Sequence, residues 1–119
     1  MKNSSTDYLF VYGSLRRDAG TPQHQAMLAY ARYHADGSIR ARLSWVDGYP
    51  VADLEDTICS DVICGEIYAL YDAQALFAWL DDYEDCLPSS PLPHVYRRIQ
   101  YPVNLDSGMV LPVWIYVAA

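Results

Sequence analysis

Between Leu43 and Tyr96 the chain has neither lysine nor arginine, although eleven of its fifteen acidic residues fall there. The whole chain holds one lysine and seven arginines, for a formal net charge of −7. A polyanion is repelled by such a surface, so DNA and RNA are excluded as expected partners. Charged residues make up only 19% of the chain, a composition that argues against disorder. Cysteine is sparse: Cys59, Cys64 and Cys86 cannot all pair internally. The expected setting is a reducing, cytoplasmic one. No apolar run approaches the roughly 18 residues that would cross a bilayer. No basic segment followed by an apolar one marks a secretory leader. No membrane partner is expected.

Several chemistries lack their signatures. His24, His34 and His94 stand in no metal-ligand spacing with the cysteines, so no metal is expected. Gly13-Ser14 lacks the glycine-rich run and the lysine of a phosphate loop. No Gly-x-Ser-x-Gly elbow is present for a serine hydrolase. Seven arginines remain as anion-binding candidates, Arg16, Arg17 and Arg97 among them, against a plain role in solubility.

What the chain does have is apolar mass. Of its 119 residues 52% are hydrophobic, with three tryptophans and eleven tyrosines. That supplies one core, hence one domain. Tyrosine in excess fits a pocket lined by amphipathic rings, and it also fits strands.

Residues 1–7 are polar and read as a flexible N-terminus, followed by a single domain over 8–119. Tyr8–Tyr12 reads as a buried strand that turns at Gly13-Ser14. Thr21 and Pro22 form an N-cap and N1 pair, and the helix they start is expected to reach about Tyr33, where Asp36-Gly37 breaks it. Ile39–Trp45 reads as a strand, Asp47-Gly48-Tyr49-Pro50 as a turn, and Val51 as the start of a short extended piece. Val62–Leu70 reads as a strand interrupted by Gly65, with Ile67 and Ala69 on one face and Glu66, Tyr68 and Leu70 on the other. Asp72 caps a helix from Ala73 to about Glu84. After a proline-rich loop, Tyr96–Leu105 and Met109–Val117 form a hairpin, with Pro112 requiring an edge position or a bulge. Two helices cannot cover both faces of a doubly wound sheet. The expected fold is therefore α+β, a small mixed β-barrel of five to seven strands flanked by helices.

Two places are candidates for chemistry. A strand ending in Tyr12-Gly13-Ser14-Leu15 can turn successive backbone N–H groups into one concavity that holds a carboxylate, with the Ser14 hydroxyl as a further donor. The same pattern is also an ordinary turn. The other place is Glu84, one of only three glutamates. Helix residues about 100° apart set it about 20° from Phe77 and about 40° from Leu80, on the apolar side. Asp81, Asp82 and Asp85 point away and read as solvated acids. A carboxylate on an apolar stripe is either a structural acceptor for Tyr or Arg, or a base with a raised pKa.

Six ordered segments resemble the gamma-glutamylcyclotransferase-like family of small bacterial and plant proteins. They are Phe10–Arg16, Asp47–Pro50, Gly65–Tyr68, Leu80–Glu84, Tyr96–Arg98 and Trp114–Val117. The resemblance implies a small mixed barrel and an enzyme that cyclises a γ-glutamyl group, releasing 5-oxoproline and an amine or amino acid. It implies that Tyr12, Gly13, Ser14 and Leu15 cradle the glutamyl end, that Tyr116 lines the cavity, and that Glu84 is the catalytic acid–base. Arg16, Tyr49, Tyr96 and Arg97 lie in the matching segments as supporting candidates. No cofactor or metal is implied. The partner is a small γ-glutamyl substrate, and the protein is expected as a monomer or weak homodimer. Asp85 departs from the family, where glycine usually follows the glutamate. Two alternatives stay open: an enzyme that removes a γ-glutamyl group from a biosynthetic intermediate, and a non-catalytic small-molecule-binding protein that keeps the pocket.

Overall fold

A computed structural model describes residues 6–13, 15–46, 48–54, 61–84, 86, 89–90 and 92–119. Seven strands and two helices follow in the order β1 (Asp7–Val11), α1 (Pro22–Met27), β2 (Ala31–Arg40), β3 (Arg42–Val46), β4 (Tyr49–Asp53), β5 (Val62–Leu70), α2 (Ala73–Tyr83), β6 (Tyr96–Leu105) and β7 (Val110–Ala118). A 3-10 turn at Arg17–Ala19 lies between β1 and α1. Residues 1–5 of the segment expected to be flexible lie outside the described residues.

Five strands close a barrel in the order β1-β5-β2-β6-β7, and β3 and β4 form a separate two-stranded sheet. The neighbours are antiparallel except β1 and β7, which close the ring in parallel through Leu9 and Trp114. The architecture is the expected α+β barrel with flanking helices. Alternate residues of the same strands feed two apolar clusters. Leu9, Val11, Tyr68, Leu70 and Tyr116 pack with Leu76, Phe77 and Leu80 of α2, so they face outward beneath the helix. Phe10, Ile39, Ile67, Val103, Val113, Ile115 and Val117 form the other cluster and therefore fill the barrel.

Local signals place α2 well. The Asp72 side chain accepts from Ala75 N at 3.1 Å, which satisfies one of the helix's first donors. Thr21 caps α1 in the same way, accepting from His24 N at 3.1 Å. The expected length of α1 is corrected. The helix ends at Met27, and residues from Ala31 onward are strand. Ala31 to Arg40 pair with β5 across nine aligned positions, and this long-range ladder overrides the local helical pattern.

Two glycines read as breaks are instead paired with each other inside the sheet, Gly37 opposite Gly65. A Cβ on Gly65 would collide with Val11 O and with the Phe10 ring, and one on Gly37 would stand 2.9 Å from Asn104 O. These positions need glycine for close approach of neighbouring chain, not for a turn. The hairpin β6–β7 falls where expected, and Gly108 supplies the left-handed residue of its turn with φ 95°. Pro112 sits opposite Pro102 in that ladder, beside the sparse β1–β7 closure, where a missing N–H costs least. No helix among the described residues is long and apolar enough to cross a membrane.

Candidate active site

A cavity of about 250 Å³ opens at the end of the barrel where β1 stops. Its wall draws on Tyr12, Gly13 and Leu15 after β1, Tyr49 and Pro50 of β4, Tyr83 and Glu84 at the end of α2, Tyr96 of β6 and Tyr116 of β7. Seven sequence-predicted residues thus meet there: Tyr12, Gly13, Leu15, Glu84 and Tyr116, with Tyr49 and Tyr96 from the supporting set. Ser14 and Asp85 lie outside the described residues. Arg16 and Arg97 are not on this wall. Arg97 is exposed, and its Nε donates to Ala118 O at 3.2 Å. Arg16 lines a separate surface depression with Arg17, Asp36 and Glu66.

The turn after β1 is held from behind. Arg16 N donates to Gly13 O at 3.1 Å, closing the turn. The buried His24 ring donates from Nδ1 to Leu15 O at 2.7 Å, the direction fixed because a carbonyl can only accept. Glu66 is 8% exposed and receives Arg17 N at 2.9 Å, Arg17 Nε at 3.0 Å and Tyr68 OH at 2.9 Å. A buried carboxylate is tolerated when its oxygens are this well supplied with donors.

Glu84 is half-buried and is the C-cap of α2, with its N–H bonded to Leu80 O at 2.8 Å. It is the one acidic or basic residue among the described wall residues; the others are apolar side chains, glycine, proline and five of the eleven tyrosines. The excess of tyrosine therefore goes, in good part, to this pocket. Burial raises the Tyr12 phenol above its ordinary pKa, and the Glu84 charge adds to that. Burial, then Glu84, pushes the Tyr96 phenol up to about 12. Burial, then its bond to Asp81, raises Tyr116 strongly. These rings stay neutral donors at ordinary pH. Tyr12 OH donates to Tyr116 O at 2.6 Å and accepts from Ala52 N at 3.0 Å, and Tyr96 OH donates to Pro50 O at 2.6 Å. The phenols thus stitch the β3–β4 sheet to the barrel around the cavity.

Asp81 is corrected from a solvated acid to the hub of a half-buried network. Arg98 Nε and Nη2 donate to its two oxygens at 2.9 and 3.0 Å, and Tyr116 OH donates at 2.6 Å. Burial pushes the Asp81 carboxyl up, but the bonds from Arg98 and Tyr116 outweigh it and the net shift is downward. Strand alternation carried a signal for Arg98. It stands two residues from Tyr96, on the same face, and directly opposite Tyr116 in the ladder. Among the described residues no cluster of histidine, cysteine or carboxylates could hold a metal ion.

Residues 9–119 match the family described as gamma-glutamyl cyclotransferase, AIG2-like. A Methanocaldococcus jannaschii protein provisionally named a gamma-glutamylcyclotransferase is 31% identical over 111 residues, covering 92% of this chain and 82% of the relative. The crystal structure of a mouse AIG2-like protein superposes with a TM-score of 0.71 at 27% identity, over 98% of this chain and 79% of that one. YkqA from Bacillus subtilis shares the fold, with a TM-score of 0.69 at 23% identity, over 96% of this chain and 36% of that one. The match begins within β1, runs through the glycine turn, the end of α2 and the last strand, and so spans every element that walls the cavity: the chain belongs to the gamma-glutamyl cyclotransferase, AIG2-like family.

Proposed function

We propose that this protein is a gamma-glutamyl cyclotransferase acting on a small γ-glutamyl amine or peptide, with Glu84 as the proton carrier. The observation that carries the reading is the shared cavity of Glu84 with Gly13 and Leu15, lined otherwise by neutral groups. The substrate's own α-amine is the nucleophile. Glu84 takes a proton from that amine as its nitrogen bonds to the γ-carbonyl carbon. The bond from that carbon to the leaving nitrogen then breaks, and Glu84 returns the proton to it. The products are 5-oxoproline and a free amine. The ring closes only when the glutamyl chain is folded on itself, and a small tyrosine-walled pocket favours that pose. With no lysine or arginine on the described wall, the backbone N–H groups of the turn are left to meet the α-carboxylate or the developing oxyanion. The test is incubation of purified protein with a panel of γ-glutamyl dipeptides and amines, followed by assay for 5-oxoproline. Release by the wild type and none by Glu84→Gln is expected. Full activity in Glu84→Gln overturns the assigned role, and no release from any compound overturns the activity.

A further inference from the structure

Asp81 precedes Glu84 by three residues, a spacing at which helix side chains are neighbours. Both of its oxygens are engaged by Arg98, at 2.9 and 3.0 Å. A two-pronged contact of this kind fixes angle as well as distance. The same guanidinium lies 4.0 Å over the Phe77 ring of α2 and 4.7 Å over the Trp114 ring of β7. Tyr116 OH adds a third bond to Asp81, and Cys86 N donates to Asp81 O at 2.9 Å. One ion pair therefore fastens the end of α2 to β6 and β7, the strands that bring Tyr96 and Tyr116 to the cavity.

We propose that Asp81 and Arg98 are positioning residues, which set where the Glu84 carboxylate stands against the barrel and what charge it senses. The proposal rests on Glu84 being the proton carrier described above. A displacement of about 1 Å at a reacting group costs on the order of 100-fold in rate. The pair also places a carboxylate and a guanidinium at the last turn of α2, which Glu84 caps. The cavity wall adds the phenols of Tyr12 after β1, Tyr49 from β4, Tyr96 from β6, Tyr116 from β7 and Tyr83 beside Glu84, and the Cys86 thiol senses both Asp81 and Glu84. Asp82, two residues before Glu84, is a further carboxylate and is unchanged in the variants. Asp85 follows Glu84 in sequence and is the same in every variant below.

Three variants test the proposal: Asp81→Asn, Arg98→Met and Arg98→Lys, each checked for folding by circular dichroism. In Asp81→Asn and Arg98→Met, kcat is expected to fall about 10- to 100-fold with KM held within about threefold. Arg98→Lys keeps the charge but loses the fork, and is expected to recover part of that loss. A second readout needs no turnover. The chain has three glutamates, so side-chain carbon-13 labelling of glutamate gives three carboxyl signals, and Glu84→Gln assigns one. Asp81→Asn removes a negative neighbour and leaves Arg98, so Glu84 titrates at lower pH. Arg98→Met leaves the Asp81 charge, so Glu84 titrates at higher pH. Unchanged kcat together with unchanged Glu84 titration in the folded variants overturns the proposal. If Arg98→Met does not fold, wild-type kcat in Arg98→Lys overturns it. If the wild type releases no 5-oxoproline, the activity reading fails by itself; opposite Glu84 shifts would still support the positioning, and their absence would overturn it.

Discussion

Glu66 and Glu84 both bear on the segment after β1, and the fold treats them in opposite ways. Glu66 is 8% exposed and receives three donors, two from Arg17 and one from Tyr68. Its lone pairs are committed to protein, and it holds the chain just past the turn. Glu84 is half-buried and borders a cavity of about 250 Å³ together with Gly13 and Leu15. A carboxylate enclosed by donors serves the fold, whereas one that borders open volume can meet a ligand. Degree of burial alone singles out Glu66, which does not border the cavity.

The largest expected effect separates the two directly. Glu84→Gln should lower 5-oxoproline release at least about 100-fold, the usual scale for a lost acid–base group. Its urea unfolding midpoint should stay close to that of wild type. Equal loss of stability and activity would erase the distinction between the two sites. Glu66→Gln should do the reverse. It leaves one acceptor oxygen where two served and disturbs the bond from the buried Tyr68 hydroxyl, at a cost of about 1–3 kcal/mol in urea unfolding. Turnover in this variant should fall less than in Glu84→Gln, since Glu66 does not line the cavity.

Tyr12→Phe sharpens the comparison from the cavity side. It deletes the donor to Tyr116 O and the acceptor for Ala52 N. A loss of about 1–2 kcal/mol is expected for two such bonds, measured by thermal unfolding. A larger drop in kcat than in stability would show that the phenol acts on the ligand as well as on the wall. The smallest effect concerns pH. The folded state lowers the Asp81 pKa below its ordinary value of 3.8. Its contribution is therefore present above that value and disappears as the pH falls through the folded one. The stability gap between wild type and Asp81→Asn should narrow between about pH 5 and pH 2, the range over which such a carboxylate protonates. A gap that widens on acidification would contradict the ion-pair assignment.

Legibility followed the range of the forces involved. The bounds of β5, Val62–Leu70, and the start of α2 after Asp72 could be read directly, because alternation and capping act over a few residues. The hairpin β6–β7 was readable for the same reason, from Asp106-Ser107-Gly108 between two strand patterns. The region from Leu28 to Tyr33 was not. Its local pattern favours helix, but from Ala31 onward it pairs with β5. At the site, the direction of Glu84 followed from helical period, and the choice of Arg98 over Arg97 was within reach of strand alternation. Asp81 was beyond it, because an acid on the outer side of a helix reads as solvated until a strand arrives over it.

By itself, then, the sequence determined the class of fold, the main strands and α2, and the two candidate places, the turn at Tyr12–Leu15 and Glu84. These depend on turn residues, caps and periodicities that neighbouring residues settle among themselves. Only the tertiary structure decided the pairing of Gly37 with Gly65, the enclosure of Glu66 and the clamp of Asp81 by Arg98. Each of those joins residues far apart in the chain, and a polar group's cost or benefit is fixed by the partner that reaches it and the water that is excluded.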